Sequence, residues 1–316
     1  MAISAEVFEA NQSMLWGLCY RMTGNAADAD ELVQETFMRA IERPPARLDE
    51  PLKPWLIRVA INLSRDLLRK RKRSRYVGEW LPSPVPTQEI EPLPSYEPSA
   101  PDEDSPVWRY EMLESVSFAF LLALEVLTPT ARAVLLLRDV FDYSTVETAR
   151  ALDITEANVK VHLHRARKAL QGYNKERLAA RANLGDLTRK ALEKFLLFMK
   201  TRNVEGLEKL LTEDAVSFSD GGGDVYAALN PIRGRRNVLR LLFGLAKKGA
   251  NILDYSFMTL NGLPALLIKV RYEGEHLAPR FKAGLAKRYT LHCEVDSEGR
   301  IQKLFSVLAP KKLTAI

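Results

Sequence analysis

Asp220, His276 and His292 are the side chains in the last third of the chain whose types suit proton transfer, but no spacing in the sequence pairs any of them. Asp220 instead opens the run Asp220-Gly221-Gly222-Gly223. Three glycines in a row point to a backbone that needs unusual dihedrals or a close approach by another segment. Catalysis is not expected. The two cysteines, Cys19 and Cys293, lack metal-ligand spacing and read as core packing. There is no P-loop, dinucleotide fingerprint or metal motif, so no cofactor and no metal is expected. The spacing that does suggest chemistry belongs to donors and acceptors for base edges and phosphates: Asn158, Lys160, His162 and Arg165, with Arg167 continuing the basic face.

These side chains need a helix to present them. Val159, Leu163, Ala166 and Leu170 form an inward stripe at spacings of four, three and four, beginning after the N-cap residue Thr155. A shorter helix precedes it, with Val146, Ala149 and Leu152 on one face and a stop at Asp153-Ile154. The pair reads as a helix-turn-helix; the alternative is an ordinary helical hairpin with a solvated charged face. Upstream, Trp108 to Leu127 is amphipathic, and Thr128-Pro129-Thr130 caps a helix over Ala131 to Val140. From Lys160 to Arg181 seven basic residues stand against Glu176, which favours phosphate contacts.

A second presenting element lies near the N-terminus. Between Val7 and Ile41 helical periodicity is broken at Thr23-Gly24-Asn25, and the second helix starts with Asp28, Asp30 and Glu31 at the positive end of its dipole. Trp55 then opens a long helix, amphipathic through Ile61 and Leu68, in which Arg65 to Arg75 holds seven basic residues against Asp66. Trp55, Asn62, Arg65 and Arg69 place stacking, hydrogen bonding and charge on one element, a combination suited to locally melted DNA.

The chain has 316 residues, 47% of them hydrophobic, with a formal charge of +6, which suits a globular multidomain protein with a polyanionic partner. The longest apolar run, Val116 to Leu124, is too short to span a bilayer, and no signal-peptide pattern opens the chain. A cytoplasmic protein without a membrane partner is expected. Residues 80 to 106 carry eight of the seventeen prolines, and Glu79, Glu89, Glu91, Glu97, Asp102, Glu103 and Asp104 make the segment acidic, as an extended tether would be. Trp80-Leu81-Pro82 opens this tether with a large apolar group whose exposure would forgo about 2 kcal/mol of burial, so it is expected to dock.

From Leu184 onward, helices over Leu187 to Lys200 and through Leu211 precede a strand at Ala215 to Ser219. A helix over Arg236 to Lys247 leads to strands Ile252 to Leu260, Ala265 to Tyr272, Arg288 to Val295 and Ile301 to Leu308, with turns at Asn261-Gly262 and Ser297-Glu298-Gly299. This predicts an α+β domain. The expected division is 1–76, a linker 77–107, 108–182 with the helix-turn-helix, and 183–316.

The segments LCYRMTGNAADADELVQETFMRAIE, PWLIRVAINLSRDLLRKRKR and VKVHLHRARKAL occur in the order in which they resemble bacterial extracytoplasmic-function sigma factors. The resemblance implies a region-two domain whose Asp30, Glu31, Val33, Gln34, Glu35 and Phe37 face the clamp helices of RNA polymerase. It also implies that Asn62, Arg65 and the loop before Trp55 meet the melted -10 element, while the later domain reads the -35 duplex. In the recognition helix, His162 stands where the family commonly has arginine. The C-terminal part resembles the SnoaL-like members of the NTF2-like fold, as found in a subgroup of these sigma factors. Trp80-Leu81-Pro82 and Asp220 to Gly223 match that subgroup's two motifs, which continue here as Ser83-Pro84 and Asp224 in place of Glu-Pro and Lys. A charge contact built from those continuing residues is not expected, whereas apolar docking of Trp80 is.

The fold class implied is two all-α sigma domains, the second a helix-turn-helix, followed by an α+β NTF2-like cone. The partners implied are RNA polymerase core and promoter DNA, with regulation in cis through Trp80, Leu81, Pro82, Asp220, Gly221, Gly222 and Gly223, and with room for a small-molecule ligand in the C-terminal domain. Two other readings stay open: a DNA-binding regulator acting without polymerase core, and a ligand-sensing enzyme that uses its DNA-binding part as an address.

Overall fold

The computed structural model describes residues 5–42, 52–73, 76–87, 114–173, 184–247, 249–272 and 284–316. The chain divides into two compact units, Met1–Arg75 with Thr87–Lys175 and Tyr76–Pro86 with Glu176–Ile316.

The first unit is helical. α1 (Ala5–Thr23), α2 (Ala26–Glu42) and α3 (Leu52–Arg73) pack on one another. Gly24, at φ 63°, makes the break between the first two, and Asn25 Oδ1 accepts from the Asp28 amide at 3.3 Å to start α2. Leu15, Leu18, Met22, Leu32, Phe37, Leu56 and Ile61 fill the shared core. Cys19 is buried there as well, and its thiol is pushed up to about 12 by burial, which leaves it inert as a nucleophile.

The unit's second half begins with short segments. The unbroken helix expected through Leu127 is, over residues 114–127, a one-turn 3₁₀ segment Glu114–Val116, α4 (Phe118–Ala123) and a further 3₁₀ turn Leu124–Val126. The reason is local: Ser117 is extended and its hydroxyl accepts from the Phe120 amide, which starts a new helix. α5 (Pro129–Leu135) has the expected Thr128 cap and proline at its start, but loosens into a π turn at Leu136–Val140. α6 (Thr145–Leu152) opens on a Ser144/Glu147 capping box and closes on Asp153 in the left-handed region. α7 (Glu156–Ala169) follows at once, capped by Thr155.

The second unit carries α8 (Leu184–Lys200), α9 (Val204–Leu210), β1 (Leu211–Asp220), β2 (Ile232–Arg233), α10 (Arg235–Lys247), β3 (Ala250–Leu260), β4 (Leu263–Tyr272), β5 (Arg288–Val295) and β6 (Ile301–Val307). The strands form one six-stranded sheet in the order β2-β1-β6-β5-β4-β3, antiparallel throughout except for the β1–β6 pair. This order has two edges, so the described sheet is an open one. Leu192, Phe195 and Leu196 of α8, Leu207 of α9 and Val238 of α10 pack with Leu266, Ile268, Leu291, Cys293 and Leu304 of the sheet to form the core. Residues 76–86, upstream of the helix-turn-helix in sequence, belong to this unit as a strap.

Candidate functional site

In α7 the inward stripe is as expected, with Val159, Leu163, Ala166 and Leu170 buried. Asn158, Lys160 and Arg165 are exposed and His162 is half-buried. Arg167 departs from the expected basic face. Its guanidinium donates twice to Asp139, at 3.1 and 2.8 Å, and the Asp139 side chain is 2% exposed. A buried carboxylate needs a cation, so Arg167 braces α7 against the π turn. Val161, which the stripe leaves facing out, is exposed as expected, and His164 is exposed on the same helix although it was not singled out.

In α3, Trp55 and Asn62 are half-buried, and Arg69 is exposed and paired with Asp66 at 2.9 Å. Arg65 donates to Asn62 Oδ1 at 3.1 Å and to Thr130 Oγ1, in the first turn of α5, at 3.2 Å. Burial first, and then the charges of Arg165 and Arg65, hold the His162 imidazole below its ordinary value. The side chains suited to melted DNA and the helix suited to duplex DNA are therefore neighbours within the first unit. The loop before Trp55 lies, over residues 43–51, outside the described residues.

Buried arginines lock this arrangement. Arg132 donates to the Met22 carbonyl at 2.7 Å, to the Leu124 carbonyl at 2.8 Å and to Glu125 at 2.7 Å. Arg21 donates to Ser115 Oγ at 2.7 Å, and burial pulls its pKa down to about 10, which still leaves it cationic at neutral pH. Of the α2 residues expected to face a partner, Asp30, Glu31, Gln34 and Glu35 are exposed. Val33 and Phe37 instead pack inward, Phe37 against Phe8 with ring centroids 4.5 Å apart. The apolar side chains that α2 does expose are Met38 and Ile41.

In the second unit the strap is held by one carboxylate. Asp220 is fully buried and takes four donors: Tyr76 Oη at 2.6 Å and the Gly222 amide at 2.9 Å on Oδ1, and the Leu81 amide at 2.8 Å and Lys312 Nζ at 2.7 Å on Oδ2. Lys312 is itself buried, donates to the Leu81 carbonyl, and lies 4.5 Å from the Trp80 ring centroid and 5.0 Å from that of Tyr76. The strap's far end pairs with the β3–β4 turn, Val85 exchanging bonds of 3.0 and 2.9 Å with Asn261.

The glycines are needed where they stand. A Cβ on Gly221 would lie 2.3 Å from the Val225 carbonyl oxygen, and Gly222 and Gly223 have φ of 61° and 81°. The clamp does contain a charge contact, made by Lys312 with Asp220. Asp224, from which no such contact was expected, makes a surface pair with Lys311 at 3.4 Å. Tyr76 and Lys312 were missed because nothing local marks them.

His292 is buried beside Thr290, 3.2 Å away, and burial drives its pKa down to about 3. His276 lies outside the described residues. Among the described residues no three His, Cys, Asp or Glu side chains cluster as metal ligands, and no helix is long and apolar enough to cross a membrane.

The model of Sigma-70 region 2 matches residues 7–74, and that of Sigma-70, region 4 matches residues 117–170. The chain is 28% identical over 316 residues to ECF RNA polymerase sigma factor SigJ of Mycobacterium tuberculosis, spanning 97% of this chain and 92% of that one. It is 32% identical over 172 residues to SigL of the same species, spanning 54% of this chain and 88% of SigL. The crystal structure of M. tuberculosis SigJ superposes with a TM-score of 0.69 at 24% identity and covers 99% of both chains, so the fold is shared over the full length. Two family regions in order, the helix-turn-helix inside the second of them, and a relative matched over most of its length agree on one conclusion: the chain belongs to the ECF RNA polymerase sigma factors.

Proposed function

We infer that the chain binds RNA polymerase core and directs promoter-specific initiation. In this reading α3 receives melted -10 bases, α7 reads the -35 duplex, and the C-terminal domain, a SnoaL-like cone, regulates both in cis. The observation that carries the regulatory part is the Asp220 clamp, which draws the linker segment 76–86 into the C-terminal unit only three residues after α3 ends at Arg73. The contact of Arg65 with Thr130 supports a resting form in which Arg65 is engaged within the protein before it meets DNA.

Binding to core would have to open that form, and the bias can be no larger than the difference in contacts between the two states. A small molecule in the C-terminal domain would act on the same balance through its unequal affinity for the clamped and released forms. The test is co-elution with purified core RNA polymerase of the full chain against a chain ending at Ala182. Stronger binding by the shorter chain is the expected result. Failure of both chains to bind core, with duplex DNA still held, would replace this reading with that of a regulator independent of polymerase.

A further inference from the structure

The cationic excess of this chain lies in the C-terminal domain. Residues 184–316 hold 22 Lys and Arg against 14 Asp and Glu, which leaves 24 against 26 for everything before them, the totals being 46 and 40. A regulatory domain that only gripped a linker would have no use for such a balance.

The excess has a place. Arg202, Arg236, Arg240 and Lys247 line one open groove of about 500 Å³ between the α8–α9 turn and α10, with Val204, Leu239, Phe243 and Ala246 as its apolar walls. Among the described residues none of the four cations has a carboxylate partner, in contrast to neighbouring Arg235, which lies near Glu208 and Glu213 at 3.9 and 3.7 Å. Arg235 and Arg236 also occupy the first turn of α10, which has no acidic residue. Cations at the positive end of a helix dipole are unfavourable unless an anion arrives to meet them. Two independent features, an unneutralised cluster and a helix start of the wrong sign, thus ask for the same partner charge.

We propose that this face of α10 binds the phosphate backbone of duplex DNA without regard to sequence, as a DNA contact additional to α3 and α7. Arg236 and Arg240 are one helical turn apart, about 6 Å along the axis, and Lys247 lies about 16 Å beyond Arg236, a run that tracks several phosphates of a strand. Three of the four cations are arginines, whose planar fork suits phosphate oxygens. The apolar walls support the long arginine stems while their heads remain in water. A single strand fits less well, because it requires an open aromatic platform, and Phe243 packs against the domain core.

The test uses the full chain and a duplex that lacks any promoter sequence, with binding followed by anisotropy between about 50 and 200 mM salt. The double variant Arg236→Gln with Arg240→Gln should bind about tenfold or more weakly at low salt, and the slope of log K against log salt should fall by about 1.8, or 0.9 per lost phosphate contact. The pair Arg202→Gln with Lys247→Gln, on the same groove, should act alike and serves if the first variant misfolds. Unchanged affinity and slope in both variants would overturn the proposal, as would no binding of the duplex by the unaltered chain. Unchanged DNA binding with weakened co-elution of core polymerase would overturn it in favour of an acidic protein surface. None of these results bears on whether the chain ending at Ala182 binds core, so the sigma reading stands or falls separately.

Discussion

Arg167 and Lys160 sit on one helix and carry the same charge, yet removing them should have opposite consequences. Arg167 neutralises a carboxylate that is 2% exposed, and taking one partner from a buried pair costs about 3–5 kcal/mol. Because Arg167 itself retains some exposure, the lower end of that range applies to Arg167→Ala, read as a fall in melting temperature. Lys160→Ala at an exposed position should leave the melting temperature unchanged and weaken duplex binding.

A second residue gives a pH dependence with a definite sign. His292 is neutral when folded, its pKa lowered from 6.5 to about 3 by burial, so below about pH 6.5 the unfolded chain takes a proton that the folded domain refuses. The C-terminal domain should therefore be at full strength above pH 6.5 and lose stability progressively as the pH falls from there toward 3. Thermal melts from pH 7.5 to 5 should show this slope, and His292→Gln should flatten it.

At the scale of elements, what could be read in advance was what repeats locally. The α7 stripe from Val159 to Leu170, the Thr128-Pro129 helix start and the Asn261-Gly262 turn each announce themselves within a few residues, since period, cap and positive φ are short-range constraints. The π turn at Leu136–Val140 and the new helix start at Ser117 were hidden because the apolar periodicity runs on through both. The strap was half legible: Trp80 as an apolar side chain in a polar linker predicted docking, but the lysine that completes the clamp lies 231 residues from Leu81, and no pattern of spacing encodes a partner so distant. Lys312→Met should leave Asp220 buried without its cation and release the strap. Chymotryptic cleavage within residues 76–86 should then rise about tenfold or more, whereas equal cleavage in both proteins would mean that the amide and tyrosine donors suffice to hold it.

For the whole molecule, domain order and the family were legible because each helical region carries its own motif, while the allocation of the linker between two units was not. The chain leaves the strap at Pro86, passes through α4 to α7 and returns to the C-terminal unit at Glu176. With the clamp shut this is a ring: both ends of a ninety-residue span, about 90 by chain numbering, are fastened to the same domain. Closing a loop of that length costs about 4 kcal/mol of chain entropy, which the Asp220 and Asn261 contacts must offset. The span that contains α4 to α7 therefore has both ends fastened to one domain when the clamp is shut and one end when it is open. In the cis-regulation proposed above, the switch would then be topological: the fastening or freeing of a single stretch of backbone.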